Sequence, residues 1–147
     1  MKKSMGLFLV AAVMIVFTAC GPEEKEPPAA LRITGAVDQE QDWTEAEVKR
    51  MKTVDAQREN NAGEISTYTG VPVNALLEDA GLVPDASKIV LVSDDGQKVD
   101  ISLEKIKSCP DCILSFRNQG GFSAVFPEFP GKVQVKGVVE IRVERVE

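Results

Sequence analysis

Apolar and polar residues alternate along most of this chain, and the alternation predicts short β-strands. Successive side chains on a strand point to opposite faces, so a strand with one buried face shows a period of two. The pattern predicts strands over residues 31–37, 52–58, 64–69, 88–101, 113–116 and 138–143. Within 88–101, Asp95 and Gly96 form the preferred loop of a two-residue hairpin. We therefore expect a largely antiparallel sheet.

The spacing changes to that of an amphipathic helix after residue 72. Pro72 has the φ angle that a first helical turn requires, and Gly70 is suited to a turn conformation closed to other residues. Gly81 is placed as a C-terminal cap, and Pro84 prevents continuation of the helix. Spacings of three and four predict a buried stripe of Val73, Leu76, Leu77 and Ala80. This stripe is expected to seat the helix on the sheet.

Two other short helical segments complete the predicted elements. Thr44, followed three residues later by Glu47, has the pattern of a capping box, and residues 102–107 are interpreted as a short helix or turn. A chain of 147 residues, 44% of them hydrophobic, is long enough to bury one sizeable core. The predicted fold class is α+β, with mostly antiparallel or mixed β-structure and two or three short helices.

The first 19 residues have the pattern of a signal peptide. Lys2 and Lys3 precede an uncharged apolar run shorter than the ~20 residues of a spanning helix. Residues 17–20 resemble a bacterial lipobox, which predicts that Cys20 is acylated; an ordinary signal peptide with an incidental cysteine is the alternative. Residues 20–30 are predicted to be a flexible tether and 31–147 the domain. We expect a lipid-anchored, extracytoplasmic protein of the bacterial envelope.

The charge balance excludes one class of partner. The chain carries a net charge of −6, and loss of Lys2 and Lys3 with the leader makes it more acidic. An acidic surface without a basic cluster repels nucleic acid, so no nucleic-acid role is expected. The expected partners are then the membrane and either a small anion or a partner protein.

One stretch of the chain carries a resemblance to a known family. Tyr68-Thr-Gly-Val-Pro, followed by Leu76 and Leu77, resembles the aromatic-x-Gly-x-Pro-Leu-x-x-Leu-Leu signature of the sulfite-oxidase-type molybdopterin-binding domain. The resemblance extends over roughly residues 31–147 and includes Asn118, Pro127 and a C-terminal strand rich in valine and isoleucine. It implies the fold of that family and makes molybdopterin the cofactor to consider.

The same resemblance points to residues of a site and to two departures from the family pattern. Thr53 stands where the family has its metal-binding cysteine, and a hydroxyl does not replace a thiolate on a soft metal. Ser123 stands where the family has an arginine that contacts anions, and the chain has no histidine. The remaining anion contacts are Arg117, Lys132 and Lys136, which a solvated strand face would also explain. We therefore expect no catalytic residue, no metal and no cofactor, with molybdopterin as the alternative.

Cys109 and Cys112 form a separate motif. Two cysteines this close in an extracytoplasmic protein favour a structural disulfide. Redox-active thiols and a metal site shared between two molecules are the alternatives. A thioredoxin-like site needs the first cysteine at a helix N-terminus, whereas a strand is predicted to follow Cys112.

Two functions follow from these observations. The favoured hypothesis is a lipid-anchored binding or interaction module on a sulfite-oxidase-type scaffold that lacks the metal-binding cysteine. The alternative is a molybdopterin-dependent oxidoreductase, or a subunit of one, with atypical cofactor binding. The deciding feature is whether a positively charged pocket lies between Thr53, Arg117 and Lys136.

Overall fold

The structure is a computed structural model that describes residues 27–146. The predicted signal peptide, Cys20 and most of the predicted tether lie outside the described residues. The strands are β1 Leu31–Gly35, β2 Gln41–Trp43, β3 Val54–Glu59, β4 Ile65–Pro72, β5 Ala86–Ser93, β6 Lys98–Ser102, β7 Ile113–Phe116, β8 Phe122–Val125 and β9 Lys136–Arg145. The helices are α1 Glu45–Arg50, α2 Val73–Ala80 and α3 Leu103–Lys107, with a 3₁₀ turn at Gly131–Val133. No helix within 27–146 is long and apolar enough to cross a membrane.

The strands form one mixed sheet in which nearly all pairs are antiparallel. Seven strands lie in the order β2-β1-β9-β8-β7-β4-β3, and the pair β5 and β6 joins at β9. Within the described residues, β1 and β9 make the one parallel pair. Strand β9 is long enough to pair with β8 near its start, with β1 near its end and with β5 along most of its length. The predicted α+β class is confirmed.

Helix α2 occupies the position that its apolar spacing predicts. The four stripe residues are all buried in the main core, together with large side chains such as Leu31, Phe122 and Ile141. Gly81 ends the helix with a φ of 70°, a conformation that favours glycine. The capping box of α1 is also present, since Glu47 accepts from the Thr44 amide at 2.7 Å and Thr44 accepts from the Glu47 amide at 3.3 Å.

Gly70 has a different role from the one predicted. It lies inside strand β4 without a positive φ, paired with Val54 on one side and Ser115 on the other. A Cβ at this position would lie 2.1 Å from the carbonyl oxygen of Leu114, a distance that no real contact reaches. The position requires glycine because β4 and β7 approach closely there, and the prediction of a turn was wrong.

The hairpin between β5 and β6 also differs from its prediction. The loop between Ser93 and Gln97 has three residues, and the Ser93 amide donates to the Gln97 carbonyl at 2.9 Å. Of the loop residues only Gly96 has a positive φ, 86°, whereas a two-residue loop of this type needs two such residues. The turn is therefore where the sequence predicts it, with one more residue than expected.

The disulfide between Cys109 and Cys112 is present and joins two buried side chains. The turn that it closes lies between α3 and β7. The side-chain amide of Asn74, on helix α2, donates to the Ile106 carbonyl at 3.0 Å and to the Cys109 carbonyl at 3.3 Å. These bonds hold α2 to the disulfide turn.

Candidate functional site

A cleft opens where the pairing of β4 with β7 stops. Three pairs join the strands, the last of them Gly70 with Ser115. Continued pairing would place residues 67–69 opposite residues 116–118, but the strands separate instead. All six of these residues line a cleft with a volume of about 520 Å³. The cleft is thus the gap left by a ladder that ends early.

Strands β8 and β9 continue the wall of the cleft. Ser115 of β7 is paired with Ser123 of β8, which is paired with Lys136 of β9. Cross-strand neighbours share a face of a sheet, so this row brings Ser123 and Lys136 beside the gap. The Ser115 hydroxyl is nearly buried and donates to the Ser123 carbonyl at 3.2 Å, so it is occupied by the sheet.

Among the described residues, three cations line the cleft and no carboxylate does. They are Arg58 of β3, Arg117 after β7 and Lys136 of β9. The ion pairs found within residues 27–146 all involve other side chains. Asp55 accepts a hydrogen bond from the Thr69 hydroxyl at 2.6 Å but does not line the cleft. A locally positive cleft therefore lies in a chain whose net charge is −6.

The polar groups of the cleft divide into those already bonded and those available. The side chain of Gln134 is already hydrogen-bonded. Its oxygen accepts from the backbone amide of Phe126 at 2.9 Å, and its nitrogen donates to the Phe126 carbonyl at 2.7 Å. By contrast, Tyr68, Asn118 and Ser123 make no side-chain hydrogen bond with any residue in 27–146. Each of these three side chains has a hydrogen-bond donor available, which suits an anionic ligand.

Helix α1 holds the loop that carries Arg117. The Arg117 amide donates to the Gly121 carbonyl, and the Gly121 amide donates to Glu45 of α1 at 3.2 Å. Lys49 also contacts Glu45, at 2.6 Å. The pKa of Glu45 is lowered from its usual 4.5, first by the hydrogen bond from Lys49 and then by that from Gly121. The charged carboxylate thus positions one edge of the cleft.

The structure brings together three of the five residues that the sequence predicts for an anion site. Arg117, Ser123 and Lys136 line the cleft, but Thr53 does not. Thr53 is exposed and precedes β3, whose first residue is paired with Gly70. The cleft extends from Gly70 towards residues 67–69, whereas the chain runs the opposite way along the hairpin from Val54 to Thr53. Thr53 therefore lies beside the closed ladder and away from the cleft.

Lys132 is the second predicted residue that lies apart. It is exposed in the 3₁₀ turn and does not line the cleft. Its neighbour Gly131 faces Arg58, with 3.9 Å between a Cβ built there and the Arg58 guanidinium. Arg58 therefore lines the cleft, whereas the predicted residues Thr53 and Lys132 do not. Neither Arg58 nor Glu45 was predicted, because an arginine on an alternating strand and a glutamate in a first helical turn are ordinary surface residues.

Comparison with known proteins shows a likeness of fold. No protein-family model matches the chain, and no curated protein matches it. The chain is similar to the crystal structure of the sulfane dehydrogenase SoxCD from Paracoccus pantotrophus, with a TM-score of 0.63 and 23% sequence identity over 77% of this chain. The fold is sulfite-oxidase-like. The match spans 37% of the SoxCD chain, and at this identity it shows the fold alone.

The residues of the cleft do not fit the metal of a molybdopterin cofactor. The part of the chain that the structure describes contributes no sulfur, imidazole or carboxylate group to the lining. Within residues 27–146 the two cysteines are joined in the buried disulfide, and no group of three or more potential metal ligands is found. A soft metal prefers a thiolate, which no residue of the cleft supplies. The cleft fits anionic groups and has nothing to hold the metal.

Proposed function

We propose that this protein is a lipid-anchored, extracytoplasmic binding module that holds an organic anion in the cleft between β4 and β7. The observation that carries the proposal is the set of Arg58, Arg117 and Lys136 around a cleft without a carboxylate. Like charges cluster at a cost unless a partner compensates them, and these three cations, which form no ion pair within residues 27–146, favour an anionic ligand.

The size of the cleft favours an anion with an organic body. A volume of about 520 Å³ lies within the range of sites that bind small molecules. Phe116 and Val125 supply apolar surface, while Ser123 and Asn118 supply hydrogen-bond donors. Arginine recognises planar carboxylates and phosphates with two parallel hydrogen bonds, whereas lysine acts as a point charge.

Binding of citrate tests the anion proposal. Citrate titrated into the protein is expected to shift the amide resonances of residues 115–118 and 123. Arg117→Gln is expected to weaken binding about tenfold, because a hydrogen bond to a charged group contributes about 1.5 kcal/mol or more. Lys98→Gln, an exposed lysine on β6 outside the cleft, is the control and is expected to leave the affinity unchanged. Equal losses in both variants, or no shifts in the cleft, would overturn the proposal.

The lipid anchor is a separate part of the proposal and rests on Cys20. The acylated protein is expected to partition into the detergent phase of a two-phase extraction, with a diacylglyceryl mass on its N-terminal peptide. Cys20→Ser is expected to abolish both signals. A wild-type protein that stays in the aqueous phase without this mass contradicts the anchor and leaves the anion site unaffected.

The alternative function is a molybdopterin-dependent oxidoreductase, which the similarity of fold to the SoxCD chain favours. Fold similarity is a weak argument for chemistry, and the donor groups of the cleft do not fit the metal. Protein expressed with cofactor supply is expected to contain neither molybdenum nor a fluorescent pterin after acid extraction. Stoichiometric molybdenum that survives Thr53→Ala would establish the alternative and overturn the binding module.

A further inference from the structure

One edge of strand β4 is open along the cleft. Residues 65–69 of β4 pair with β3, from Ile65 with Glu59 to Thr69 with Asp55, but their other edge has no strand beside it among the described residues. In an antiparallel pair, alternate residues point their backbone N–H and C=O groups away from the partner. Those groups of 65–69 have no backbone partner within 27–146. An open edge of this kind is a template for another strand.

The same five residues carry two exposed hydrophobic side chains. Ile65 is 67% exposed and Tyr68 is 40% exposed, and within 27–146 Val146 is the one other large hydrophobic residue with such exposure. A separation of three residues puts Ile65 and Tyr68 on opposite faces of β4. Each face therefore offers an apolar contact to one of the two alternating sets of side chains on an added strand.

The charges favour one face for acidic side chains. Arg58 is paired with Ser66, so it lies on the Tyr68 face of the hairpin. The row from Gly70 through Ser115 to Lys136 continues that face across the sheet. The cations of the cleft thus stand beside the Tyr68 face, while Ile65 marks the other.

We propose that the cleft binds an extended segment of a partner protein in which acidic and apolar residues alternate, and that this segment pairs with the open edge of β4. The inference rests on the proposed function, because it names the ligand of the same cleft. Five residues of strand extend roughly 17 Å at about 3.3 Å per residue, which sets the length of the segment. Its main chain bonds to β4, its carboxylates contact Arg58, Arg117 and Lys136, and its apolar side chains cover Ile65. This is recognition by strand addition.

The outer edge of β3 is also open among the described residues, but it offers an acidic partner fewer cations than the edge of β4. β3 ends the order of the sheet there. Its exposed face carries the carboxylates of Asp55 and Glu59. A segment that turns its carboxylates away from Asp55 and Glu59 meets one cation of β3, Arg58, whereas three cations line the cleft beside β4. The edge of β4 is therefore the one that an acidic segment selects.

Titration of synthetic peptides into the full-length protein in detergent micelles tests the inference. The probe is acetyl-Thr-Glu-Val-Glu-Val-Glu-Thr-amide, followed by amide hydrogen exchange and by chemical shifts. Binding is expected to slow exchange at alternate amides of residues 65–69 and to leave the amides of β3 unchanged, because only the β4 edge gains hydrogen bonds. Slowed exchange on the outer edge of β3 would overturn the inference.

Three modified peptides separate the main-chain and side-chain contributions without altering the protein. Glutamine in place of glutamate is expected to weaken binding at least about tenfold through loss of the charge-assisted bonds. N-methylation of alternate residues, made in both registers, is expected to weaken binding by a similar factor in one register only, because only alternate residues bond to the edge. Equal affinity of all peptides would overturn the inference.

A matched pair of variants ties the peptide to the cleft. Arg117→Gln is expected to weaken binding of the acidic peptide about tenfold. Arg50→Gln replaces an exposed arginine at the end of α1, outside the cleft, and is expected to leave the affinity for the peptide unchanged. If citrate binds in the cleft but the peptide does not, strand addition is wrong and the anion site stands. If neither binds, both proposals are wrong.

Discussion

The two ends of strand β4 have different environments although they belong to one continuous strand. At the closed end, Val71 is buried and Gly70 is paired on both sides, and helix α2 follows directly. At the open end, residues 65–69 are exposed and pair on one side. The candidate site therefore lies where the ladder between β4 and β7 ends. The apolar pattern alone does not mark that point.

The difference is also one of stability. The closed end is held by the main core, which includes the stripe of α2, whereas the open end is part of a two-stranded ribbon. A two-stranded hairpin by itself is marginally stable in water. The open end is therefore the part of the cleft that a bound strand would stabilise most.

The largest expected effect comes from the core beneath the closed end. Leu76→Ala removes a fully buried side chain of α2 and is expected to lower the free energy of unfolding by about 3.5 kcal/mol. Ile65→Ala, at the open end, removes a side chain that is 67% exposed and is expected to change it by less than about 0.5 kcal/mol. Urea denaturation followed by circular dichroism measures both. Similar losses in the two variants would show that the ends do not differ in this way.

Gly70 marks the boundary between the two ends. Gly70→Ala is expected to lower the free energy of unfolding by about 3 kcal/mol, because the added Cβ meets the Leu114 carbonyl and forces β4 away from β7. Gly131→Ala is the control, since its Cβ would make an ordinary contact at 3.9 Å without a positive φ. Equal stability of the two variants in urea would contradict the close approach of the strands.

The disulfide turn belongs to the closed end and is expected to have little effect on the open one. Replacing Cys109 and Cys112 together by alanine is expected to cost about 2 kcal/mol, the entropy of closing a short loop. Affinity for citrate is expected to stay within about twofold, since neither cysteine lines the cleft. Thermal unfolding and citrate titration measure the two quantities. A large loss of affinity in a folded variant would favour a redox-linked site.

The smallest effect concerns Glu45 and depends on pH. Its pKa is lowered in the folded protein, so its contribution to stability is present above the usual pKa of 4.5 and is lost as the pH falls through the folded value. The melting temperatures of wild type and Glu45→Gln are therefore expected to differ at pH 7 and to converge in acid. Glu128→Gln, an exposed residue outside the cleft lining, is the control. Constant differences across pH would show that Glu45 does not act through its charge.

Part of the candidate site could be predicted from the sequence, because the family resemblance assigns some of its residues by their order along the chain. Arg117, Ser123 and Lys136 lie on three consecutive parts of one antiparallel meander, so their relative positions follow from local pairing. Arg58 lies on another hairpin, and Thr53 directly precedes that hairpin. Which of them reaches the cleft depends on the register between β4 and β7, and residues far apart in the chain set that register.

Most elements of the fold can be read from the local sequence: the capped helix α1, the buried stripe of α2 and most of the alternating strands. These follow from the spacing of apolar residues and from capping groups a few positions away. The point at which the ladder between β4 and β7 ends, and the cations that meet there, depend on contacts between distant parts of the chain. Pairing between distant strands depends on close contacts such as that of Gly70 with Leu114, and the local pattern carries no record of them.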